Sequence, residues 1–378
     1  MTSITLSGIL IYLSVLTFGL LYFLKQKKEI VLHLFTQVNL AFIIYIFVFA
    51  LSKFINSGFQ EGFHSFCRIC QDYFVFLWVL FFLNTEKSEN NKNILKYSIL
   101  FAGFLSIVYG LFQYFHFDIF HRQINIHRLS GFHKNTYTYG GQLIIFFFLF
   151  LDQLIHEEKK SIAKKIFFLV MLSSCLFCIF NTLERAVILG VLVGLVIYLV
   201  FANVNRKILF SSLSVIFFMI FLIVNFNKKL YNRIKNTISP RKGVKPNVRF
   251  KLWGIAISVW KRNVLFGVKK FPEVAYQASS NAPIQILTHA HNVYLQVLVT
   301  HGILGFLAFI NLFISILKTL FSNLQSKYTI CLIAVIFSFL VEGFFEYFWG
   351  DSEVRYLLLY FVGFVFGHLK SVNNTVNS

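Results

Sequence analysis

Acidic residues are scarce. The chain holds 15 Asp and Glu against 35 Lys and Arg, a formal charge of +20 over 378 residues. Charged residues of both signs reach only 13%, about half of what a soluble domain carries. That argues against one or two ordinary soluble domains. Cysteine is down to five, which make no disulfide framework. Cys67-x-x-Cys70 and Cys175-x-x-Cys178 both sit in apolar runs, whereas a zinc site needs four gathered ligands. They read as small apolar packing residues, and no metal or cofactor is expected. Proline is rarer still, at four. All four fall in a single stretch late in the chain, which Pro240, Pro246 and Pro272 interrupt.

What is abundant is apolar: 57% hydrophobic residues, including 50 Phe and 17 Tyr, in long runs. The backbone inside a bilayer must satisfy its own hydrogen bonds, so such runs predict helices. The expected fold is an all-α polytopic membrane protein of about 11–12 spans in one domain over residues 1–378, each span long enough for an apolar layer of roughly 30 Å. The spans are read at 4–24, 30–51, 66–83, 94–112, 136–155, 165–180, 186–203, 208–226, 303–321, 329–347 and 354–371. Thr5–Leu24 has no basic residue before it, so it reads as a span and not as a cleavable signal.

Short basic connectors set the orientation. Lys25, Lys27, Lys28, Lys87, Lys92, Lys159, Lys160, Lys164, Lys165, Arg206, Lys207, Lys327 and Lys370 all fall on one side if the N-terminus is outside and the C-terminus inside. The positive-inside rule then makes that side cytoplasmic. The same topology puts 227–302 outside as one large loop. Between Asn227 and Thr288 it carries 13 Lys and Arg and a single acid, Glu273. Phe250, Trp253, Ile255, Ile257 and Trp260 recur there at helical spacing, which predicts amphipathic helices lying on the membrane. An outside loop so basic suits an anionic, lipid-borne partner. Nucleic acid is not expected, because the loop faces away from the cytoplasm.

The loop runs into His289-Ala290-His291-Asn292. Cations and an imidazole together at a membrane surface suit an anionic, lipid-borne substrate. His291 is followed by Asn292, nine residues, Gly302, two residues and Gly305. This spacing resembles the signature of bacterial O-antigen ligases, which share a superfamily with O-antigen polymerases and protein O-oligosaccharyltransferases. Three further stretches agree. Arg185–Leu189 resembles the family's Arg-x-x-x-Leu at the start of a span. Arg249–Trp253 resembles the Arg- and Trp-containing part of its large loop, and Arg128–Phe132 resembles a segment after an earlier span.

The resemblance implies transfer of a glycan from undecaprenyl pyrophosphate to a sugar hydroxyl of lipid A–core, in the inner membrane with the site facing the periplasm. His291 is then the expected base, and Arg185 and Arg249 grip the pyrophosphate without a metal. His289, two residues away on an extended segment, is the rival base. Asn292 is expected to orient the imidazole or start the next helix. Arg128, Arg241 and Arg262 are further phosphate contacts, within a field of loop cations. Glu346 pairs with a site arginine or positions the acceptor. Gly302 and Gly305 are expected to admit close helix packing. The histidines at 116, 121, 127 and 133 match no metal spacing. The alternatives are a polymerase joining lipid-linked repeats, a protein O-oligosaccharyltransferase, and a transporter of lipid-linked sugars, which would instead place charge along its spans.

Overall fold

The computed structural model describes residues 36–83, 88–117, 128–156, 161–202, 248–278, 289–326 and 328–376. The protein is an all-α polytopic membrane protein, with no strand among the described residues. In chain order the helices are α1 (Gln37–Leu83), α2 (Ser88–Tyr114), α3 (Thr136–His156), α4 (Ile162–Thr182), α5 (Arg185–Phe201), α6 (Val248–Arg262), α7 (Phe271–Ala278), α8 (Val293–Phe321), α9 (Thr329–Glu342) and α10 (Ser352–Val376). A 3₁₀ turn, Phe348–Gly350, follows α9. Helices α1, α2, α3, α4 and α8 are long and apolar enough to cross a membrane, and α5 and α9 are shorter apolar helices. The spans read at 4–24 and 208–226, and the cations between 228 and 245, lie outside the described residues. The chain divides into two compact units.

The first unit takes the described residues of Met1–Leu95, Leu252–Lys327 and Arg355–Ser378. Its frame is α1 packed on α8. The sequence predicts a connector over 52–65, because hydropathy falls there. The structure instead continues α1 through it, broken only at Gly58, which takes φ 79° and ψ 176°. The polar residues that lower the hydropathy are used as partners. Ser52 Oγ and Asn56 Nδ2 each donate to the Phe266 carbonyl at 2.7 Å, and Lys53 Nζ donates to the Lys269 carbonyl at 2.9 Å. Lower in α1, Asp72 and Arg355 form a buried ion pair at 2.9 Å.

Helix α8 begins ten residues before the span expected at 303, and Gly302 breaks it with φ 67° and ψ −169°. A regular helix would join the Ile303 N–H to the Val299 carbonyl four residues back. The break parts them, and the connector between α6 and α7 takes both. Ile303 N–H donates to the Val264 carbonyl at 2.8 Å, and Val268 N–H donates to the Val299 carbonyl at 2.8 Å. Both buried backbone groups thus keep a partner, as they must in an apolar layer. The fit is tight: a Cβ on Gly302 would lie 2.1 Å from the Leu265 carbonyl oxygen, and one on Gly267 (φ +70°) would lie 2.3 Å from that of Val299. Gly302 therefore admits a connector backbone and not a second helix. Gly305 faces its own preceding turn, with Phe49 beyond it.

The second unit takes the described residues of Lys96–Lys251 and Tyr328–Val354. Here α3 packs on α4, and α5 lies along α9. Gly190 and Gly194, four apart on α5, bring the two backbones together. Cβ atoms there would each stand 2.7 Å from a carbonyl oxygen of α9, that of Ser338 and that of Ala334 respectively. Small residues at this spacing allow close approach where lipid offers no hydrophobic drive between helices. Helix α9 stops at Glu342, short of the span end expected at 347, and the chain turns there through Phe345 N–H to the Glu342 carbonyl at 2.8 Å. Cys175 and Cys178 are buried on α4, and all five cysteines are free thiols.

Candidate active site

In the first unit, α6 buries one face. Leu252, Ala256 and Val259 recur at helical spacing and pack with Val268, Phe271, Ala290 and Val299. Each large apolar side chain so buried contributes roughly 1.5–3 kcal/mol. Phe250 and Ile257, part of the expected apolar stripe, are exposed. The cluster seats Ala290, which is fully buried at 0% exposure. Its N–H donates to Gln296 Oε1 at 2.8 Å, and its carbonyl accepts the Trp253 indole N–H at 3.1 Å. Asn292, extended at φ −164°, caps α8 by accepting the Leu295 N–H at 2.9 Å.

Between these anchors His291 takes φ +47°, the left-handed region, where a residue other than Gly is uncommon and costs roughly 1–2 kcal/mol. Its N–H donates to His289 Nδ1 at 3.2 Å, and the two rings stand 4.1 Å apart between centroids. Both side chains are half-buried. With Nδ1 accepting, neutral His289 carries its proton on Nε2. The third histidine, His301, differs. It is buried, stacked on Phe49 at 3.9 Å, and its Nδ1 contacts Thr300 Oγ1 at 2.8 Å. Arg262 is exposed in the last turn of α6, the end where a cation complements the helix dipole.

In the second unit the arginines meet carboxylates. Arg128 pairs through Nη2 with Glu184 and donates through Nε to the Thr182 carbonyl at 3.0 Å. Thr136 Oγ1 donates to the same Glu184 oxygen at 2.5 Å. Glu184 is the N-cap residue of α5, and Arg185 is exposed at its first position. A cation there opposes the helix dipole, whereas the dipole and the cation together favour an incoming anion. Arg249, in the first turn of α6, donates to Glu346 Oε1 at 2.5 Å. The arginine side chain is 29% exposed and the glutamate 6%. Asp351 accepts from Thr138 Oγ1 at 2.9 Å, and Glu346, Glu184 and Asp351 each lie close enough to Glu342 to repel its charge. Arg128 and Arg249 each neutralise a member of that acidic group.

The structure thus brings His289, His291 and Asn292 together in one unit. In the other it places Arg128 beside Arg185 through Glu184, and Arg249 on Glu346. Arg241 lies outside the described residues, as do the histidines at 121 and 127. His133 instead contacts Gln142 at 2.8 Å. Reading the sequence missed Glu184 as the partner of Arg128, and Gln296 and Trp253 as the grip on Ala290. Gln296 did carry a signal, being a lone amide on the buried side of an apolar run, where an amide needs a partner.

Residues 167–310 match a family model described as O-antigen ligase. The matched stretch includes Arg185, Arg249, His289, His291 and Asn292, and stops short of Arg128 and Glu346. No curated protein matches the chain.

Proposed function

We propose that this protein is a glycosyltransferase of the O-antigen ligase type. It moves a glycan from undecaprenyl pyrophosphate to a sugar hydroxyl of lipid A–core. It works in the bacterial inner membrane with its reacting groups on the periplasmic side. The family match over residues 167–310 carries the reading, because it covers the imidazole segment and both arginines. The held, left-handed His291 supports it in detail.

In this mechanism the His291 imidazole takes the proton of the acceptor hydroxyl. The oxygen then attacks the anomeric carbon, and the bond to the pyrophosphate oxygen breaks with inversion at that carbon. The electron pair leaves on the pyrophosphate. Arg185 and Arg249 stabilise the charge that develops there, as preorganised cations do. Arg128, Arg262 and the remaining loop cations hold the anionic headgroups of donor and acceptor. No metal is needed for the step, since arginine supplies the charge.

The test is His291→Ala, expressed at the wild-type level in a strain deleted for the gene. Purified lipopolysaccharide lacking O-antigen, with lipid-linked chains accumulating, is the expected result. Normal O-antigen on the core would overturn the role of His291. A deletion strain whose core carries one repeat unit would instead identify a polymerase.

A further inference from the structure

We propose that Gln296 and Trp253 are positioning residues for the His291 imidazole, an inference that rests on His291 being the base. Neither touches the reacting atoms. They act through Ala290. The Trp253 N–H fixes the Ala290 carbonyl, and so the peptide plane from which the His291 Cα departs. Gln296 fixes the Ala290 N–H, and so the plane that carries His289. Two planar units held on consecutive bonds leave little freedom in the backbone between the two rings.

The grip is specific in three respects. It uses side chains from two helices, α6 and α8, so it fixes Ala290 against both. It closes on a residue with 0% exposure, whose polar groups need partners within the protein. It also faces a backbone that resists it, since His291 is held at φ +47°. A strained conformation persists only where its surroundings over-determine it. The surroundings here are the grip on Ala290, the His289 Nδ1 that accepts the His291 N–H, and the Asn292 cap. His289 is thereby a third support, its Nδ1 engaged by the His291 N–H.

A misplaced base lowers turnover without weakening substrate binding. Gln296→Leu and Trp253→Phe, each keeping bulk while removing one hydrogen bond, should lower kcat by about tenfold or more with KM for the lipid-linked donor unchanged. Gln296→Glu keeps an acceptor oxygen on the Ala290 N–H and should recover most of the loss. The assay is transfer by purified full-length protein in detergent, with thermal unfolding followed on the same samples. A kcat that falls while the midpoint holds, with recovery in Gln296→Glu, supports positioning. A kcat unchanged in both variants, with His291→Ala inactive, overturns the positioning role and leaves the base intact. Losses that track the midpoint, with no recovery in Gln296→Glu, also overturn it. If His291→Ala itself turns over normally, it is the reading of the base that fails.

Discussion

The two regions that carry the candidate side chains are held by different physics. The histidines are aimed by backbone: a buried alanine gripped at both polar groups, a left-handed residue and a helix cap. The arginines are held by charge, Arg128 on Glu184 and Arg249 on Glu346. A base must stand within hydrogen-bond reach of one proton, so it gains from a backbone that cannot drift. A phosphate-binding cation tolerates more movement and must be kept from collapsing onto the wrong anion. A carboxylate partner keeps the guanidinium extended, and an incoming pyrophosphate can replace it. In the proposed reaction, geometry is thus built where geometry would decide the rate, and charge balance where charge would.

Breaking the backbone-held region should cost most. Gly302→Ala sets a side chain against the Leu265 carbonyl and forces a non-Gly residue to φ 67°. Strain and overpacking together predict a loss of about 3 kcal/mol or more, read as a lower unfolding midpoint and earlier proteolysis between Asn263 and Lys270. In the charge-held region, Arg249→Met leaves the Glu346 carboxylate buried without its cation. It should destabilise by about 2–4 kcal/mol, and the further change Glu346→Leu should restore stability, because a buried pair gives way to apolar packing more readily than it loses one member. The double variant should remain inactive in the transfer assay. If it regains activity, Arg249 is structural and its place on the pyrophosphate is lost.

A smaller effect is expected at Glu184→Gln. The amide keeps the hydrogen bonds and removes the charge, which should shift the midpoint little and tighten donor binding by a few-fold, measured as KM. Chelation with EDTA should leave turnover unchanged, and a loss restored by added divalent cation would show that arginine charge is not sufficient. The smallest change has the opposite sign. Gly254 lies inside α6 with nothing within 4 Å of its would-be Cβ, so Gly254→Ala should stabilise by about 0.5–1 kcal/mol.

Much of this was legible in the sequence. Apolar runs located α2, α3, α4 and α10 closely, because a bilayer leaves the backbone few alternatives. The His-Asn spacing to Gly302 singled out the segment that the structure shows held at φ +47°. What was not legible is instructive. Ser52, Lys53 and Asn56 interrupt an apolar pattern as a loop would, and only the carbonyls of Phe266 and Lys269, more than two hundred positions away, explain them. Gly302 announced a close approach but not its partner, since glycine serves a second helix and a connector equally. Glu184 stood beside Arg185 in the sequence, yet its partner is Arg128. Pairing across long separations is decided by packing, which no local pattern records.

The break in α8 has a consequence for what holds that helix in shape. A straight α8 would satisfy Ile303 and Val299 within itself, so it can enter the membrane with nothing owed to the rest of the chain. Bending opens that bond and needs the connector at Val264 and Val268 to take both ends. These two positions are four apart, as are the two they relieve, so one inserted residue in the connector would leave a group unmatched. The bend is therefore a tertiary feature: α8 cannot hold it alone, and it persists only where the connector supplies Val264 and Val268 in register.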